Sequence, residues 1–371
     1  QWAVDWTNII FNEKKISFNS IKLARESLVI VGDHVTLESG TGCVHTAPGH
    51  GVDDFNVCQN YPEIPTICPV DSNGVLTEEA GQFAGLTTDE ANKKIAVYLD
   101  ENGYLFALKK IIHQYPHCWR CKTPILFRAT DQWFCSVDDF KDKACEAIDS
   151  VKWIPSWGHD RITNMVKERK DWCISRQRKW GVPIPIFFCK ECGEAHIDND
   201  AMMAVADLFE KEGSNAWYNH SAAEILPEGT KCKKCGCTEF EKEKDIMDVW
   251  FDSGSSHAAV VSKRDNLKFP ADLYLEGNDQ YRGWFQSSLL TSVATEGVAP
   301  YKAVLTHGMI LDEEKRKMSK SLGNGISPQD VTEKYGADVL RLWVSSTDYQ
   351  SDVHISNDIL SRADSLSEEG K

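Results

Sequence analysis

Four cations lie among the first six residues of a polar run at residues 315–324, and cations so placed could neutralise a polyphosphate. The run follows a strand-like segment at residues 303–307 and Gly308. Cations in a mobile loop stabilise the charge that builds on a phosphoryl group during transfer. Most basic runs are solvated turns, so composition alone favours a turn. We call residues 315–324 the lysine loop; its centre reads Lys317-Met318-Ser319-Lys320-Ser321.

A second polar cluster follows a short apolar strand at residues 273–275 and contains Glu276, Asp279 and Gln280. A helix is expected next, because apolar residues recur at helical spacing from Trp284 onward. Open α/β sheets bind ligands where a strand gives way to a helix. The sequence therefore predicts that these three polar side chains point into a cleft.

The lysine loop lies between a predicted strand, residues 303–307, and a predicted helix that begins at Ser327 with Pro328 in its first position. Gly336 interrupts that helical region, which then resumes. Further helices are expected near residues 87–102 and 199–213, and further strands at residues 4–11, 28–32 and 35–37. The pattern then fades into a polar tail that we expect to be frayed over residues 361–371.

Thirteen cysteines, an odd number, in a chain without a secretion signal favour metal ligation over disulfides. Two Cys-x-x-Cys pairs each precede a glycine that lets backbone amides approach the thiolates: Cys189 with Cys192, and Cys232 with Cys235. Four thiolates in this arrangement predict a structural zinc site, because every ligand comes from the protein and no position is left for water. Cys237 could replace Cys235 as the fourth ligand.

A third pair, Cys118 and Cys121, supplies two of the four ligands that a structural zinc site needs. No second pair in the sequence stands clearly spare to complete it. We expect half of a site whose partners lie outside this sequence, and a reduced pair without metal is the alternative.

Four glycines and a proline make residues 40–55 a sharply folded loop that carries His45, His50, Asp53 and Asp54. The glycines do not fit a dinucleotide-binding turn, because no third glycine follows at the right offset and no helix pattern begins there. Two imidazoles and two carboxylates could bind an ammonium group or activate water. A purely structural turn is an equal alternative.

At 371 residues the chain should form two or three domains, and its 42% hydrophobic and 26% charged residues indicate ordinary globular cores. The net charge of -15 argues against a generic nucleic-acid binder, so RNA contact must come from local patches such as residues 176–179. Without a run of membrane-spanning length or a signal peptide, the sequence predicts a soluble, cytoplasmic protein with no membrane partner. Because it begins at Gln1, we expect a piece of a longer protein.

Taken together, these segments resemble the isoleucyl-tRNA synthetases, a family of class I aminoacyl-tRNA synthetases. The lysine loop matches the signature loop of the class, and the resemblance extends over residues 27–346. That loop alone would also fit the valine, leucine and methionine enzymes. Residues 173–185, 248–254 and 283–288 are similar to the isoleucine enzymes specifically.

The resemblance implies ATP-dependent activation of isoleucine to its adenylate, transfer to tRNA(Ile), and hydrolytic editing of mischarged valine. Lys317 and Lys320 would be the catalytic lysines. The site for ATP and the aminoacyl-adenylate would contain Glu276, Gly277, Asp279, Gln280, His307, Gly308 and Lys320. In the editing pocket, Asp54 would hold the amino group of valine, with His45 beside it. ATP with Mg²⁺ would be substrate, zinc structural, and the parent enzyme a monomer.

The same resemblance implies an α/β fold, namely the second half of a class I Rossmann-type catalytic domain with a β-rich editing insertion and a zinc-binding connector. The expected parts are the remainder of the editing domain at 1–115, a connector back to the catalytic domain at 116–186, a zinc-binding insert at 187–245, the catalytic half at 246–350 and a polar tail at 351–371.

The sequence also departs from the family pattern. The other class signature, His-Ile-Gly-His or a variant, does not occur, and neither does the threonine-rich strand of the editing pocket. Tyr281 stands where the family commonly has His, and Asn278 where it commonly has Ser. The missing half of each active site leaves an alternative: a non-catalytic, zinc-stabilised module that binds RNA or a partner chain.

Overall fold

A computed structural model of the protein describes residues 28–36, 38, 42–105, 107–110, 112–118, 120–319 and 322–369. The chain divides into two compact units, Gln1–Asp131 and Gln132–Lys371, and each is described by itself. The strand expected at residues 4–11 lies outside the described residues, and so does Lys320.

The first unit contains helices α1 (Val52–Cys58) and α2 (Thr88–Glu101) and a 3-10 helix, Glu78–Phe83. α2 begins where the sequence predicts, because Thr87 and Glu90 form a capping box. The Thr87 hydroxyl accepts the Glu90 N–H, and the Glu90 carboxylate accepts the Thr87 N–H. This reciprocal pair satisfies amides that the first helical turn would otherwise leave unbonded.

The two strands expected at residues 28–32 and 35–37 do not occur in the described residues. Residues 28–32 form no strand, and Val29 and Val31 are exposed; residues 35 and 36 are not strand either, and Leu37 lies outside the described residues. An apolar run becomes a strand only with a partner to pair with, and the described residues offer it none. The loop expected at residues 40–55 is observed over the described residues 42–51, and α1 then begins at Val52, with Asp53 and Asp54 in its first turn. Carboxylates there favour a helix through its dipole.

The second unit contains short strands, β1 (Phe134–Cys135), β2 (Lys152–Ile154), β3 (Trp172–Cys173), β4 (Ser175–Arg176), β5 (Phe187–Cys189), β6 (Ala195–His196), β7 (Phe240–Lys242), β8 (Ile246–Met247), β9 (Tyr274–Gly277), β10 (Ala303–His307), β11 (Ile310–Leu311) and β12 (Val353–His354). Its α-helices are α3 (Lys141–Asp149), α4 (Trp157–Lys167), α5 (Asn199–Glu212), α6 (Ala216–Asn219), α7 (Ala222–Ile225), α8 (Val249–Gly254), α9 (Trp284–Glu296), α10 (Pro328–Tyr335), α11 (Ala337–Ser346) and α12 (Asn357–Glu369). The shorter helical segments are Asp138–Phe140, His257–Val261 and Asn278–Arg282.

A parallel sheet of order β2-β10-β9 lies at the centre of the second unit. β10 has the bounds that the sequence predicts, and β9 begins one residue later than predicted. The register places Thr306 opposite Glu276 and His307 opposite Gly277. The carboxyl ends of β9 and β10 therefore lie side by side, with the predicted polar cluster following one strand and Gly308 following the other.

α9 is buried from Phe285 to Val293 on every face, so it has no polar stripe. Thr291 and Ser292 donate their buried hydroxyls to carbonyl oxygens; Thr291, for example, donates to Ser287 O at 2.9 Å. Gly254 of α8 lies against the same turn, where a Cβ would come 2.9 Å from the Ser287 carbonyl carbon. α8 and α9 are thus in backbone contact. Neither α9 nor any other helix in the described part of the chain is long and apolar enough to cross a membrane.

The segment between β4 and β8 has a separate small core around an antiparallel sheet, β6-β5-β7. α5 confirms the helix predicted near residues 199–213 and is capped by Asp198, whose side chain accepts the Asp200 N–H. Phe187 and Trp217 are buried at the centre of this core. The strands are only two or three residues long, so the apolar core alone is modest.

The segment after the lysine loop is helical, as predicted. Ser327 caps α10 by accepting the Asp330 N–H, and Gly336, with φ of 87°, separates α10 from α11. The frayed tail expected over residues 361–371 is wrong, because α12 continues to Glu369. Leu360 explains the difference: it is 1% exposed and packs in a core with Trp343 and others.

His159 joins the end of α3 to α4, because Asp160 Oδ1 lies 2.9 Å from its Nδ1 and Asp149 Oδ1 lies 2.8 Å from its Nε2. Only the protonated ring can donate both hydrogen bonds, so the bonds that it donates to Asp160 and then to Asp149 raise the pKa of His159. A raised pKa stabilises the fold below the unfolded-state value, about 6.5, and that contribution is lost as pH rises through the folded-state pKa.

We therefore expect His159→Gln to lower the free energy of unfolding at about pH 5.5, by at most about 1 kcal/mol because the pair is partly solvated. The difference from wild type should vanish above about pH 8. Urea denaturation across this range measures it, with the double variant Asp149→Asn/Asp160→Asn as the matched control that should abolish the pH dependence. An equal loss at every pH would contradict the assignment.

Candidate functional site

A cavity of about 370 Å³ opens at the carboxyl end of β9. The residues that line it come from α8, the turn after α8, β9, the 3-10 helix that follows β9, and α9: Trp250, Ser253, Ser256, Glu276, Gln280 and Trp284. Two of them, Glu276 and Gln280, belong to the predicted site. The other four were not predicted, although the aromatic and small residues of the segment 245–256 could have indicated a pocket wall.

Trp284 is the most firmly fixed wall of the cavity. Its ring stacks on Tyr274 with centroids 3.9 Å apart and planes 10° apart. Its Nε1–H donates to Ser253 O at 3.0 Å and lies 3.2 Å from Ser256 Oγ. The indole therefore presents a face of fixed orientation to any ligand in the cavity.

Trp250 reaches its place because Gly283 has no side chain; a Cβ there would lie 2.8 Å from the Trp250 ring and 2.6 Å from Gln280 Oε1. The same Gln280 oxygen accepts the Trp284 N–H at 3.0 Å, and its Nε2 donates to Asp279 at 3.4 Å. The predicted residues Asp279 and Gln280 are thus brought together, but Gln280 also has a structural role at the start of α9.

Glu276 is exposed at the cavity, so its carboxylate can accept hydrogen bonds from a ligand without a large desolvation cost. Gly277 follows it and is buried; a Cβ there would meet Asp279 Oδ1 at 2.8 Å and the His307 ring at 3.5 Å. The backbone at this point can therefore pass directly beside His307.

His307 is the last residue of β10 and pairs with Gly277, and Gly308 follows it. The His307 Nδ1 lies 2.7 Å from Gly308 O, so this imidazole is oriented by backbone. Gly308 donates its N–H to Tyr349 O, and a Cβ on Gly308 would come 2.1 Å from Ser351 O. Only glycine fits where these two backbone segments cross.

The lysine loop follows β11 and turns back on it through a bridge between Leu311 and Lys317. Lys317 is exposed, which leaves its ammonium group available to a phosphate. Lys320 lies outside the described residues, so its predicted role has no structural test. Met318 is partly buried against the core of α10, α11 and α12 and fixes the loop on that side.

Four sulfur atoms lie within 4.8 Å of one another, those of Cys189, Cys192, Cys232 and Cys235. Among the described residues, these four cysteines are the cluster of side chains that could hold a metal ion. Cys189 and Cys235 are 3.4 Å apart, and Cys192 and Cys232 are 3.6 Å apart. A tetrahedral metal with metal–sulfur bonds of about 2.3 Å places sulfurs about 3.8 Å apart, so the four positions fit such an ion.

Backbone amides surround these sulfurs as the neighbouring glycines predict. N–H groups of Cys192 and Glu191 point at Cys189 and lower the pKa of its thiol to about 6. The N–H groups of Cys235 and Lys234 lower the pKa of Cys232 in the same way. Donors aimed at sulfur stabilise thiolates, which are the form that binds metal.

The alternative ligand Cys237 does not join this group; the Glu239 N–H donates to its sulfur at 3.3 Å. Cys118 and Cys121 form a turn in which Cys118 donates its N–H to Thr123 O and the Cys121 sulfur lies 2.9 Å from Thr123 Oγ1. No third metal-ligand side chain approaches them within the described ranges. The half-site thus remains a prediction.

In the first unit, Asp54 accepts through Oδ2, at 3.0 Å, the N–H of Ala47, two residues after His45. His45 is exposed. His50 Nδ1 lies 2.9 Å from Phe127 O, so this second imidazole has a structural contact. The loop combines a firmly held carboxylate with one exposed imidazole.

The basic patch at residues 176–179 divides between two roles. Arg176 pairs with Asp248, a carboxylate with 6% side-chain exposure, at 2.9 Å and serves the fold. Gln177 likewise bonds to Asp245. Arg178 and Lys179 are exposed beside Trp180, which is 95% exposed. Only the later part of the patch is therefore open to a phosphate backbone.

Comparison with known proteins shows which family this chain resembles. A family model described as tRNA synthetases class I (I, L, M and V) matches residues 11–356. Proteins named isoleucine–tRNA ligase from Caldicellulosiruptor saccharolyticus and Caldicellulosiruptor bescii are 62% and 63% identical over 338 residues. Each match covers 91% of this chain and 37% of the relative, so the chain spans little more than a third of their length. A solved Mycobacterium tuberculosis methionyl-tRNA synthetase in complex with methionyl-adenylate is 17% identical with a TM-score of 0.44, covering 68% of this chain and 41% of that one.

The four-sulfur group predicts one metal ion per chain. We expect Cys192→Ser to abolish that binding and to lower thermal stability, because the short strands around the site have little core of their own. Cys237→Ser is the matched control and should retain the ion. Native mass spectrometry and thermal unfolding measure both. Loss of metal in Cys237→Ser but not in Cys235→Ser would overturn the ligand set.

Proposed function

The chain belongs to the class I tRNA synthetases (I, L, M and V), and we propose that the protein containing it is an isoleucine–tRNA ligase. It would activate isoleucine with ATP and transfer the acyl group to tRNA(Ile). The names of the curated relatives support isoleucine as the amino acid. The structural observation that supports the proposal is the cavity at the carboxyl end of β9, the strand that pairs with β10. The lysine loop follows β10 in the sequence.

The cavity suits an amino acid with an apolar side chain. The indoles of Trp250 and Trp284 provide apolar walls, and Glu276 and Gln280 provide polar groups at the strand end. In the proposed complex, the side chain of isoleucine contacts the indoles and Glu276 contacts the polar part of the adenylate, with Asp279 and Gln280 beside it. Apolar pockets with a few convergent polar groups are typical of small-ligand sites.

In the first step, a carboxylate oxygen of isoleucine attacks the α-phosphorus of ATP in line, and the bond to the pyrophosphate leaving group breaks. In the second, a terminal hydroxyl of tRNA attacks the acyl carbonyl and AMP leaves. His307 and Gly308 would lie against the nucleotide. Lys317 and Lys320 would stabilise the charge on the departing pyrophosphate, together with the Mg²⁺ that accompanies ATP.

Editing is the second activity that we propose for the complete enzyme. A hydrophobic pocket discriminates isoleucine from valine, one methylene smaller, by only about 1–3 kcal/mol. Hydrolysis of mischarged valine would then take place at the loop with His45 and Asp54. One oxygen of Asp54 accepts the Ala47 N–H. The other oxygen would accept a hydrogen bond from the ammonium group of valine.

Zinc is the ion that we propose for Cys189, Cys192, Cys232 and Cys235. Four thiolates in tetrahedral array are a typical structural zinc set. Since no ligand position would remain for water, the ion would stabilise the fold and take no part in the reaction. Cys118 and Cys121 would contribute two ligands to a further zinc site.

The same proposal covers the organisation of the chain: remainder of a β-rich editing domain at 1–115, connector at 116–186, zinc-binding insert at 187–245 and catalytic half at 246–350. The described residues of the first unit show only isolated β-bridges, such as that of Val70 with Leu76. A monomeric, cytoplasmic enzyme with isoleucine, ATP and tRNA(Ile) as partners completes it. A non-catalytic RNA- or partner-binding module is not favoured, because nothing in that reading requires the cavity.

The experiment is isoleucine-dependent exchange of pyrophosphate into ATP, measured on the full-length protein that contains this sequence, with valine and leucine for comparison. Isoleucine should be preferred. Glu276→Gln should lower kcat/KM by about tenfold to a hundredfold, as expected for a lost hydrogen bond to a charged group.

Asp272→Asn is the matched control, because Asp272 lies just ahead of the amino end of β9, is exposed and pairs with Lys302. It should leave exchange unchanged. Preference for valine or leucine would refute the assignment of the amino acid. If Glu276→Gln exchanges pyrophosphate with the same kcat/KM as the wild-type protein, the cavity is not the site.

A further inference from the structure

Asp312 is the most heavily bonded carboxylate near the lysine loop. It is 5% exposed, although it follows β11 directly in a turn of charged residues. Its Oδ1 accepts the Arg316 backbone N–H at 2.7 Å, and its Oδ2 accepts the Arg316 Nε–H at 2.9 Å. The turn between them places Lys315 at φ of 60°, a conformation that side chains other than glycine seldom adopt.

Asn324 bonds to the same carboxylate from the other end of the loop. Its Nδ2 donates to Asp312 Oδ2 at 2.7 Å and to Lys317 O at 3.3 Å. Its Oδ1 accepts the Ser319 N–H at 2.9 Å. One amide side chain therefore contacts the end of β11 and two positions within the lysine loop.

The loop also closes on itself at its tip. Leu322 and Gly323 both donate their N–H groups to Ser319 O, at 3.2 and 3.1 Å. In the sequence, Lys320 lies between Ser319 and Leu322. Backbone hydrogen bonds thus join Ser319, which precedes Lys320, to Leu322 and Gly323, which follow it. Asn324 in turn accepts the Ser319 N–H.

Burial would by itself raise the pKa of Asp312, but the hydrogen bonds from Asn324 and then Arg316 lower it to about 2. The carboxylate therefore stays ionised throughout the physiological pH range. A buried carboxylate with this many donors is costly to leave unpaired, so the contacts should persist while the rest of the loop moves.

We infer that Asp312 and Asn324 are positioning residues that hold the lysine loop in the conformation that receives ATP. This inference rests on the proposed function. Neither side chain need touch the nucleotide; together they fix the backbone at Arg316, Lys317 and Ser319. Cations arranged before the reaction stabilise its transition state better than cations that must be ordered during it.

The first test is hydrogen–deuterium exchange, by mass spectrometry, on the full-length protein and its Asn324→Ala variant. The Ser319 amide loses its acceptor, Asn324 Oδ1, so the peptide that contains it should exchange faster in the variant by about tenfold, as expected for one lost hydrogen bond. Peptides from α10 should be unchanged. If the loop amides of Asn324→Ala exchange at the same rate as those of the wild-type protein, the inference is overturned.

The second test is a reciprocal exchange of the two side chains, read out as the KM for ATP in the pyrophosphate exchange assay. Asn324→Asp places a carboxylate against Asp312 and should raise the KM for ATP by about tenfold with little change in the KM for isoleucine. The double variant Asp312→Asn/Asn324→Asp restores a donor opposite an acceptor and should recover most of the loss. Glu313→Gln removes an exposed charge from the same turn and serves as the matched control.

The outcomes separate the two proposals. If the unaltered protein shows no isoleucine-dependent pyrophosphate exchange, the proposed function fails, and the positioning role fails with it. Hydrogen–deuterium exchange of the amides still decides whether the contacts hold the loop. If that activity is present but the KM values for ATP and isoleucine rise equally, or the double variant shows no recovery, the positioning role is refuted and the proposed function stands.

Discussion

β9 and β10 run parallel, and this pairing is the constraint on which the second unit depends. A parallel pair requires the chain to cross back from the end of one strand to the start of the next, and α9 makes that crossing. Burying Phe285 and Leu289 stabilises this unit by about 1.5–3 kcal/mol each. Because α9 is covered on every face, its start is fixed, and with it the indole of Trp284 at the cavity.

The same constraint brings two kinds of chemistry to one edge. The cavity with Glu276 lies after β9, and the lysine loop lies a few residues after β10. Two other parts of the unit are held differently. Residues 187–245, which carry the four sulfurs, have a small apolar core, whereas the lysine loop is held by hydrogen bonds of Asp312 and Asn324.

Sequence predicted the elements whose signals are local. Ser327 with Pro328 began a helix as expected, β10 had its predicted bounds, and the four cysteines come together because their spacing and glycines already specify the turns. What failed was set by long-range packing. The apolar run at residues 28–32 was expected to pair as a strand, and α12 was expected to fray although the burial of Leu360 holds it. Trp250 and Trp284 are 34 positions apart in the numbering, so only the contact of α8 with α9 makes them one wall.

In the proposed enzyme, the cavity after β9 receives the aminoacyl-adenylate. The most direct measurement is a crystal structure of the full-length protein with a non-hydrolysable isoleucyl-adenylate analogue. We expect the isoleucine side chain against the indoles of Trp250 and Trp284, Glu276 within hydrogen-bond distance of the ligand, and the adenosine beside His307 and Gly308. An analogue bound elsewhere, with the cavity after β9 empty, would contradict it.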